Sequence, residues 1–388
     1  MPQRRREYLM IPGPTPVPTQ VLAAMAKPMI NHRGKEFAAV FNEATEGAKK
    51  VFQTQADVLI FPSAGTGGLE AAVVNFFSPG DKVLAVSIGV FGDRFAEIAT
   101  TFGLEVEKID VPWGQAVDPA VVEARLAGDR EHKIKGVLIT HHETSTGVEN
   151  NIQAVSRARG DHPALLLVDA VSSLGAMDLQ TDNWRVDVVI TASQKALMVP
   201  PGLALLSVND RAWAAQKASR MPRYYWDLAK AKKSAQSGQT PYTPALSQIY
   251  ALQESVRLIE EEGLPNIFER HRRITRAVRA GVRAMGLELL ASDAAASTGV
   301  TAVVVPEGVS VKDIRAKVSQ KYGVTLAGGQ KQLEGKIFRI GHLGHVDPAD
   351  VIVTLSAIEL TLKDLGRSVE IGAAVRAAEE VLAKDNAR

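Results

Sequence analysis

A lysine and an aspartate follow two apolar segments of the chain in a pattern that could support catalysis. Lys195 ends the run Asp187-Val-Val-Ile-Thr-Ala-Ser-Gln-Lys195, and Asp169 ends the run Ala164-Leu-Leu-Leu-Val-Asp169, 26 residues earlier. Each run is typical of a buried strand, and the carboxyl ends of parallel strands open into one crevice. We expect the two side chains to share a cleft; two surface polar residues that merely close two strands are the alternative.

An amine and a carboxylate in one cleft are the groups that a pyridoxal phosphate enzyme requires. The lysine forms a Schiff base with the cofactor, and the carboxylate keeps the pyridine nitrogen protonated so that the ring accepts electrons. Lys195 and Asp169 therefore make pyridoxal 5′-phosphate the candidate cofactor.

A glycine-rich segment, Ser63-Ala-Gly-Thr-Gly-Gly68, precedes an apolar helix predicted at Leu69–Phe77. Free backbone amides at a helix start bind phosphate, and glycine lets the backbone approach the anion closely. The segment lacks the Gly-Lys-Ser/Thr of a P-loop and the ordered Gly-x-Gly-x-x-Gly of a dinucleotide site. It indicates either a phosphate site of another kind or a plain turn.

Two more polar or aromatic groups follow predicted strands. The run His141-His142-Glu143-Thr144-Ser145-Thr146-Gly147 invites a metal site, but no second ligand cluster at a suitable spacing accompanies it. Its hydroxyl groups suit hydrogen bonds to a polar cofactor instead. Phe91 follows another strand and is either a ring that stacks on a planar cofactor or a core residue.

Two later segments carry candidate binding groups. Gln239-Thr-Pro-Tyr-Thr-Pro244 combines stiff backbone with the hydroxyls of Tyr242 and Thr243, and a rigid linker is the alternative reading. Arg339 lies in the strand-like run Lys336–His342, where a buried guanidinium needs an anionic partner. That partner is a substrate carboxylate or an intramolecular salt bridge.

The elements that must position these groups alternate between strands and helices. This alternation predicts a doubly wound, mostly parallel α/β sheet. The predicted strands are Lys82–Ser87, Lys135–Thr140, Ala164–Asp169, Val186–Ala192 and Leu203–Val208, and the predicted helices between them are Phe91–Phe102, Pro119–Leu126 and Asn151–Ala158.

A long helix predicted at Ala245–Glu262 ends at Gly263-Leu-Pro265, where we place a domain boundary. The expected division is an N-terminal arm (1–20), a large cofactor-binding domain (21–262) and a small C-terminal α+β domain (263–388). The small domain is predicted to contain helices at 265–285, Ser310–Tyr322 and Asp347–Leu362, strands near Thr301–Val305 and Ile337–Gly341, and a solvated amphipathic helix after Arg367.

Composition limits the class of protein. The chain has 388 residues, a formal net charge of +2, 46% hydrophobic residues and no cysteine. The small charge gives no reason to expect nucleic acid or an anionic membrane as partner, and the missing cysteines exclude disulfides, thiolate metal sites and a cysteine nucleophile. No apolar run approaches a membrane span, and neither end carries a recognisable targeting signal, so we expect a cytoplasmic protein.

The chain resembles the class V, fold-type I pyridoxal phosphate aminotransferases, and within them the serine/alanine–glyoxylate aminotransferases. The resemblance covers almost the whole chain in six blocks of conserved order and spacing. These blocks are Pro12–Pro14, Ser63–Ala72, His141–Gly147, Leu167–Gly175, Ser193–Gly202 and Arg339–Gly344.

The resemblance implies a role for each candidate residue. Lys195 would be the Schiff-base lysine and general base, Asp169 would pair with the pyridinium nitrogen, and Arg339 would bind the substrate carboxylate. Residues implied to bind the cofactor are Ala64, Gly65, Thr66 and Gln194 at the phosphate, Phe91 on the ring face, Thr144 near the ring hydroxyl, and Tyr242 and Thr243 at the phosphate of the neighbouring subunit of a homodimer. Some relatives have histidine where this chain has Thr66, so the contact there is expected to be a hydroxyl.

The implied reaction is ping-pong transfer of an amino group from alanine or serine to glyoxylate. Alternatives within the family are another donor such as aspartate, or a phosphonate or phosphoserine substrate, for which Arg33, Arg94 and Arg223 are the cations to consider. A desulfurase that forms a persulfide is excluded by the absence of cysteine. A non-catalytic role, like that of relatives labelled as soluble hydrogenase small subunits, is the alternative of another class.

Overall fold

The computed structural model describes residues 7–384. Residues 1–6 and 385–388, on which the expectations about terminal targeting signals partly rest, lie outside the described residues. The strands are β1 (Tyr8–Met10), β2 (Asp57–Ser63), β3 (Lys82–Ser87), β4 (Glu105–Asp110), β5 (Ile134–Thr140), β6 (His142–Glu143), β7 (Val148–Glu149), β8 (Leu165–Asp169), β9 (Val188–Ala192), β10 (Gly202–Val208), β11 (Glu288–Leu289), β12 (Val300–Val304), β13 (Val324–Gly328) and β14 (Ile337–Gly341).

The helices surround two sheets. They are α1 (Thr19–Met25), α2 (Lys35–Phe52), α3 (Gly65–Phe76), α4 (Val90–Thr101), α5 (Pro119–Gly128), α6 (Ile152–Arg159), α7 (Asp210–Ala218), α8 (Leu228–Ala235), α9 (Leu246–Glu262), α10 (Leu264–Ala284), α11 (Val311–Tyr322), α12 (Pro348–Asp364) and α13 (Ala373–Lys384).

The larger sheet has the strand order β2-β10-β9-β8-β5-β3-β4. The central strands β8 and β9 are buried along their whole length because helices cover both faces of the sheet, whereas the edge strand β4 is mostly polar. In β8, Leu166 and Val168 pack into the core on one face, while Leu165 and Leu167 pack into the core on the other. Five neighbouring strands run parallel, and β10 is antiparallel to both of its neighbours.

The parallel pairing of β8 with β9 brings their carboxyl ends to the same edge of the sheet. Asp169, the last residue of β8, pairs in register with Ile190 of β9. The chain leaves β9 at Ala192 and reaches Lys195 three residues later. The prediction that two buried parallel strands deliver these side chains to one edge is confirmed.

The smaller sheet has the order β1-β13-β14-β12-β11. Its first strand comes from the N-terminal arm and pairs parallel with β13, Tyr8 opposite Val324. Helix α13 buries Ala374, Ala378 and Leu382 in the core of this part of the molecule. The segment after Arg367, expected as a solvated helix, therefore forms a helix that begins at Ala373 and keeps only one face in solvent.

The strands and helices named above from the sequence appear within two residues of their predicted ends, except that the glycine-rich segment itself forms the first turn of α3. The predicted domain boundary falls between α9 and α10, and the three-part division stays a prediction. Within residues 7–384, none of the helices combines the length and apolar character needed to cross a membrane.

Candidate active site

Lys195 lies in a tight loop between β9 and β10. The hydroxyl of Ser193 donates to the carbonyl of Pro200 at 2.8 Å and accepts from the amide of Leu203 at 3.1 Å, which closes the loop. The Lys195 side chain extends from this loop and is only 9% exposed. Its amine is thus held in place by backbone that is itself tied to the sheet.

The N-terminal arm crosses directly over this lysine. The Lys195 Nζ donates to the carbonyl of Pro12 at 2.6 Å, and the Thr15 hydroxyl donates to the Lys195 carbonyl at 2.8 Å. Gly13 has a φ of 147°, and a Cβ there would lie 2.6 Å from the Lys195 Nζ. Only glycine leaves room for the amine at this crossing.

The amine of Lys195 is electrostatically unusual. Burial, and then the positive charge of Arg339, lower its pKa from 10.5 to about 8. Since a lysine of ordinary pKa is almost fully protonated at neutral pH, this shift raises the uncharged fraction to about a tenth at pH 7. An uncharged amine can act as a nucleophile or a base.

Asp169 is buried at the same edge of the sheet. One carboxylate oxygen, Oδ1, accepts from the amide of Val171 at 3.0 Å. Burial, helped by the nearby charge of Glu143, raises the pKa of Asp169 to about 6, although the hydrogen bond from Val171 opposes the shift. The group is mostly ionised at pH 7, and it would be stabilised by a protonated partner in the cleft.

The cleft between these two groups has a volume of about 250 Å³. It also contains the side chains of Arg94 and His142. The structure brings seven of the candidate residues together as its lining: Ala64, Gly65, Thr66, Phe91, Asp169, Gln194 and Lys195.

Helix α3 begins inside the cleft at Gly65. Its N-cap residue, Ala64, offers no side-chain cap, so the first amides of the helix are left for another acceptor. A Cβ at Gly65 would lie 2.6 Å from Val171, which shows how closely this helix start packs against the loop after β8. The arrangement presents amide groups and the exposed Thr66 hydroxyl to an anion.

Phe91 lies at the start of α4 and is positioned by a buried carboxylate that the sequence did not single out. Glu143 Oε2 accepts from the amides of Phe91 and Gly92 at 2.9 and 3.1 Å. Its Oε1 accepts from the amide and hydroxyl of Ser145 at 3.1 and 2.6 Å. Burial raises the pKa of Glu143, whereas these four hydrogen bonds favour the charged form.

The two histidines before Glu143, His141 and His142, contact other residues. His141 Nε2 lies 3.6 Å from Glu149, and His142 Nδ1 lies 3.0 Å from the carbonyl of Ser172. Burial lowers the pKa of His142 to about 3, so its imidazole is neutral. In the described part of the chain, His, Asp and Glu side chains do not converge in groups of three that could hold a metal ion.

Arg339 projects from β14 next to the cleft. Its Nε donates to the carbonyl of Gly328 at 2.8 Å and its Nη1 to the carbonyl of Thr144 at 3.0 Å. Among residues 7–384 no carboxylate forms an ion pair with it, so the salt bridge considered from the sequence is not observed there. Burial lowers its pKa to about 10, and Nη2 makes no hydrogen bond within the described chain.

Tyr242 and Thr243 do not line the cleft of their own chain. The Tyr242 ring stacks on Tyr224 and Tyr225, with ring centres 5.7 and 5.5 Å apart, and its hydroxyl donates to the Tyr224 carbonyl. Thr243 is exposed beside Met29 on another part of the surface.

Polar atoms left without partners test whether the cleft fits pyridoxal phosphate. Gln194 lines the cleft, whereas Thr144 does not but lies beside Arg339, to which its carbonyl is hydrogen-bonded. Gln194 Oε1 and the Thr144 hydroxyl are both buried and have no hydrogen-bond partner within residues 7–384. Together with the uncapped start of α3, the amine of Lys195 and the carboxylate of Asp169, they provide groups for an aldehyde, a protonated ring nitrogen and a phosphate. The donor set fits this cofactor.

The family model for class-V aminotransferases matches residues 7–341. The chain belongs to the class-V aminotransferase family. Curated relatives align with it almost end to end. It is 45% identical to a protein of Synechococcus sp. (strain PCC 6716) named soluble hydrogenase, small subunit, in a match that covers 97% of this chain and 98% of that protein.

Two other relatives carry aminotransferase names. The chain is 42% identical to the L-aspartate–glyoxylate aminotransferase of Paracoccus denitrificans, covering 96% of this chain and 95% of the relative. It is 38% identical to the serine–glyoxylate aminotransferase of Methylorubrum extorquens, covering 97% and 96%. Among solved structures, pyridoxamine–pyruvate aminotransferase from Mesorhizobium loti superimposes with a TM-score of 0.94 at 32% identity over 99% of both chains.

These findings confirm the family, the fold class and the cofactor expected from the sequence. The chain is a transaminase with the type I fold, and its cofactor is pyridoxal 5′-phosphate. Lys195, Asp169 and the start of α3 lie together where this class-V aminotransferase has its cleft.

Proposed function

We propose that this transaminase moves the amino group of a small neutral amino acid, alanine or serine, to glyoxylate by a ping-pong mechanism. The observation that carries the proposal is the arrangement of Arg339: two carbonyls fix the guanidinium beside Lys195, and Nη2 stays free for one carboxylate. Every amino acid donor has an α-carboxylate to place there. Glyoxylate fits because it presents one carboxylate and no side chain, and the Paracoccus and Methylorubrum relatives are both named for it.

The residues that would hold the cofactor are assigned from the cleft lining and from the family resemblance. Lys195 would carry it covalently, Asp169 would hold its ring nitrogen, and Phe91 would cover one ring face. The Thr144 hydroxyl would bind near the ring oxygen. The residues assigned to the phosphate are Ala64, Gly65, Thr66 and Gln194 of the same chain, and Tyr242 and Thr243 of a second copy.

Three side chains would perform the proton and charge work. When bound, pyridoxal phosphate supplies an aldehyde that takes up the amino group and a ring that accepts the electron pair left by the α-proton. Lys195 Nζ, freed by the donor, would take the proton from the α-carbon of the substrate and deliver it to the carbon of the cofactor that carried the aldehyde, so that the amino group stays on the cofactor. Asp169 keeps a proton on the ring nitrogen, and Arg339 holds the α-carboxylate so that the α-proton faces Lys195.

We expect ping-pong order because the cofactor can hold the amino group after the first keto acid has left. The cleft, about 250 Å³ in volume, is consistent with one substrate bound at a time. The amino group stays on the protein between the two half-reactions.

A half-reaction screen tests the proposal. The holoenzyme is mixed separately with alanine, serine, aspartate and glutamate, and the loss of its visible absorption band is followed; glyoxylate or 2-oxoglutarate is then added to restore it. We expect alanine or serine to exceed the dicarboxylates by at least about tenfold in kcat/KM, because a second carboxylate without a cation is costly to desolvate. Faster bleaching by aspartate or glutamate contradicts the donor assignment.

Aspartate is the second candidate donor, because the cleft contains a second cation that could bind its side-chain carboxylate. Arg94 lines the cleft without a carboxylate partner among residues 7–384, and the Paracoccus relative is named for aspartate. The first candidate is preferred because Arg94 contacts Thr66 at the start of α3, on the part of the cleft assigned to phosphate. A non-catalytic role like that suggested by the Synechococcus name has no support in a cleft that retains both Lys195 and Asp169.

We also propose that the active unit is a homodimer with shared sites. Apolar side chains that a single chain leaves in solvent support this: Leu22 is 50% exposed, Met29 63% and Tyr224 72%. Met29 adjoins Thr243, and Tyr224 stacks on Tyr242. The assigned phosphate contacts thus lie beside the surface that a second copy would cover.

Mixing two variants with lesions in different parts of the assigned site tests whether sites are shared. Hybrids of Lys195→Ala and Thr243→Ala subunits should contain one site without either lesion and one with both. Activity above that of either parent is expected, with wild-type subunits carried through the same exchange as the control. No gain in hybrids whose formation is verified by mass contradicts shared sites. The cytoplasmic location expected from the sequence stays a prediction.

A further inference from the structure

Arg94 is a cation in the cleft to which the sequence assigned no role in this reaction. It lies on α4, one turn after Phe91, and its guanidinium lies 4.8 Å from the centre of the Phe91 ring. Its Nη1 lies 3.4 Å from the Thr66 hydroxyl oxygen, at the long end of a hydrogen bond. The Phe91 ring therefore supports the half-buried guanidinium of Arg94 next to the first turn of α3.

The carboxylates closest to Arg94 in sequence are engaged elsewhere. Asp93 pairs with Lys108 at 2.7 Å, and Glu97 pairs with Lys331 at 3.2 Å. In the range 7–384 no carboxylate forms an ion pair with Arg94 itself. Its charge reaches into the cleft, since it contributes to the lowered pKa of Lys195 and opposes the raised pKa of Asp169.

The groups next to Arg94 can also bind an anion. The first amides of α3 have no side-chain cap, and the Thr66 hydroxyl is exposed to the cleft. A dianionic phosphate on these groups would carry more charge than amides and one hydroxyl offset, and the planar fork of arginine suits phosphate oxygens.

We propose that Arg94 binds the phosphate group of the cofactor and supplies its charge partner from within the same chain. With Arg94 committed to the cofactor, Arg339 is left to bind the substrate carboxylate. This second statement rests on the proposed function. Phe91 then acts twice, as the cover of the ring and as the support on which the guanidinium lies.

The test compares ligands that differ only in the phosphate. Apo protein is titrated with pyridoxamine 5′-phosphate and with pyridoxamine, whose amines avoid the covalent link to Lys195, and the quenching of intrinsic fluorescence gives Kd. In Arg94→Gln we expect the affinity for pyridoxamine 5′-phosphate to fall about ten- to a hundredfold, as for a lost charge-assisted contact, with pyridoxamine changed less than about twofold. Inorganic phosphate should also raise the Tm of wild type more than that of Arg94→Gln.

Two further variants separate charge from packing. Arg94→Lys keeps the positive charge and should recover part of the lost affinity for the phosphorylated ligand. Arg220→Gln removes a cation from a distant surface cleft and should leave both Kd values unchanged. Equal losses for both ligands, or no recovery by lysine, would mean that Arg94 only supports Phe91, and the proposal would be wrong.

Combined with the donor screen, the Kd measurements distinguish failure of the phosphate assignment from failure of the donor assignment. If Arg94→Gln leaves the Kd of pyridoxamine 5′-phosphate unchanged but raises KM for aspartate alone, Arg94 is a clamp for a second carboxylate and the phosphate assignment is overturned. If wild type prefers aspartate while the phosphate-dependent loss in Arg94→Gln is still found, the donor assignment fails and Arg94 remains a phosphate ligand.

Discussion

Two clefts lie at opposite edges of the same sheet, and the larger one is not the one equipped for chemistry. The larger, about 790 Å³, opens at the amino ends of β5 and β8. The smaller, about 250 Å³, opens at the carboxyl ends of β8 and β9. Parallel α/β sheets bind their ligands at the carboxyl edge because helix starts and loop side chains converge there.

The charged groups of the two clefts differ in their exposure. In the larger cleft the Arg185 side chain is 62% exposed and that of its partner Asp161 is fully solvated. In the smaller cleft Lys195 is 9% and Asp169 3% exposed, and burial shifts the pKa of each toward neutrality. The site that can transfer protons is distinguished by the burial of an acid and a base in one cleft, and not by the volume of the cleft.

The largest expected effect is the loss of turnover in Lys195→Ala. Removing the general base should reduce kcat about 10²–10⁴-fold, measured with the preferred donor and glyoxylate. Lys135→Ala is the matched control, because Lys135 lines the larger cleft. Equal losses in both variants would remove the distinction between the two clefts.

The second largest effect is expected in the pH dependence of the rate at which the apo protein binds the cofactor covalently. Attack on the aldehyde needs the uncharged amine, so the rate at which apo protein captures pyridoxal phosphate should rise about tenfold per pH unit below pH 8 and level off above it. This follows from the lowered pKa of Lys195, about 8. A rate that keeps rising toward pH 10.5, the ordinary lysine value, would show that the amine is not desolvated.

Asp169→Asn should have the next largest effect. The amide keeps the shape but loses the charge that holds the ring proton, a contact worth about 1.5–3 kcal/mol, so proton abstraction should slow about tenfold or more while cofactor still binds. Stopped-flow decay of the visible band measures the step. Asp81→Asn in the larger cleft is the control, and a rate for Asp169→Asn within about twofold of wild type would exclude the role.

The smallest effect on catalysis is expected for Glu143→Gln, which acts on folding more than on turnover. The glutamine oxygen can accept from Phe91 and Gly92, but its NH₂ then faces the amide of Ser145 and leaves that donor unpaired. Such a buried donor costs about 1–3 kcal/mol of unfolding free energy, measurable by urea titration. Glu149→Gln is the control because its carboxylate is partly exposed and pairs with His141 at 3.6 Å rather than accepting several short hydrogen bonds. Loss of turnover as severe as in Asp169→Asn would assign Glu143 a part in the chemistry itself.

The groups that the sequence predicted correctly are those that local pattern specifies. Uniformly apolar runs marked β8 and β9 as strands buried on both faces, and the polar residues that end them were then placed at one edge. The glycine-rich start of α3 was found for a similar reason, since its composition reports a local backbone requirement.

The groups that were missed depend on contacts between distant segments. The hydrogen bond from Lys195 to Pro12 joins residues 183 positions apart, and the pairing of β1 with β13 spans most of the chain. Glu143 was considered only as a metal ligand because its four donors come from the next loop and another helix. Strand β4, with the polar sequence Glu105-Val-Glu-Lys-Ile-Asp110, was overlooked because it is an edge strand with few buried positions.

The pairing of Tyr8 with Val324 also sets the order in which the molecule can be completed during synthesis. Strand β1 has no partner until β13 has been made, because Tyr8 pairs with Val324 much later in the sequence. The large sheet and its helices can form earlier, but until β1 pairs with β13 the arm contacts the Lys195 loop only on the Thr15 side of Pro12, so we expect Pro12 to be held less firmly over Lys195. We therefore expect the active site to be completed only after β13 has been made, and a nascent chain stopped before residue 324 to contain a folded large sheet and an uncovered Lys195.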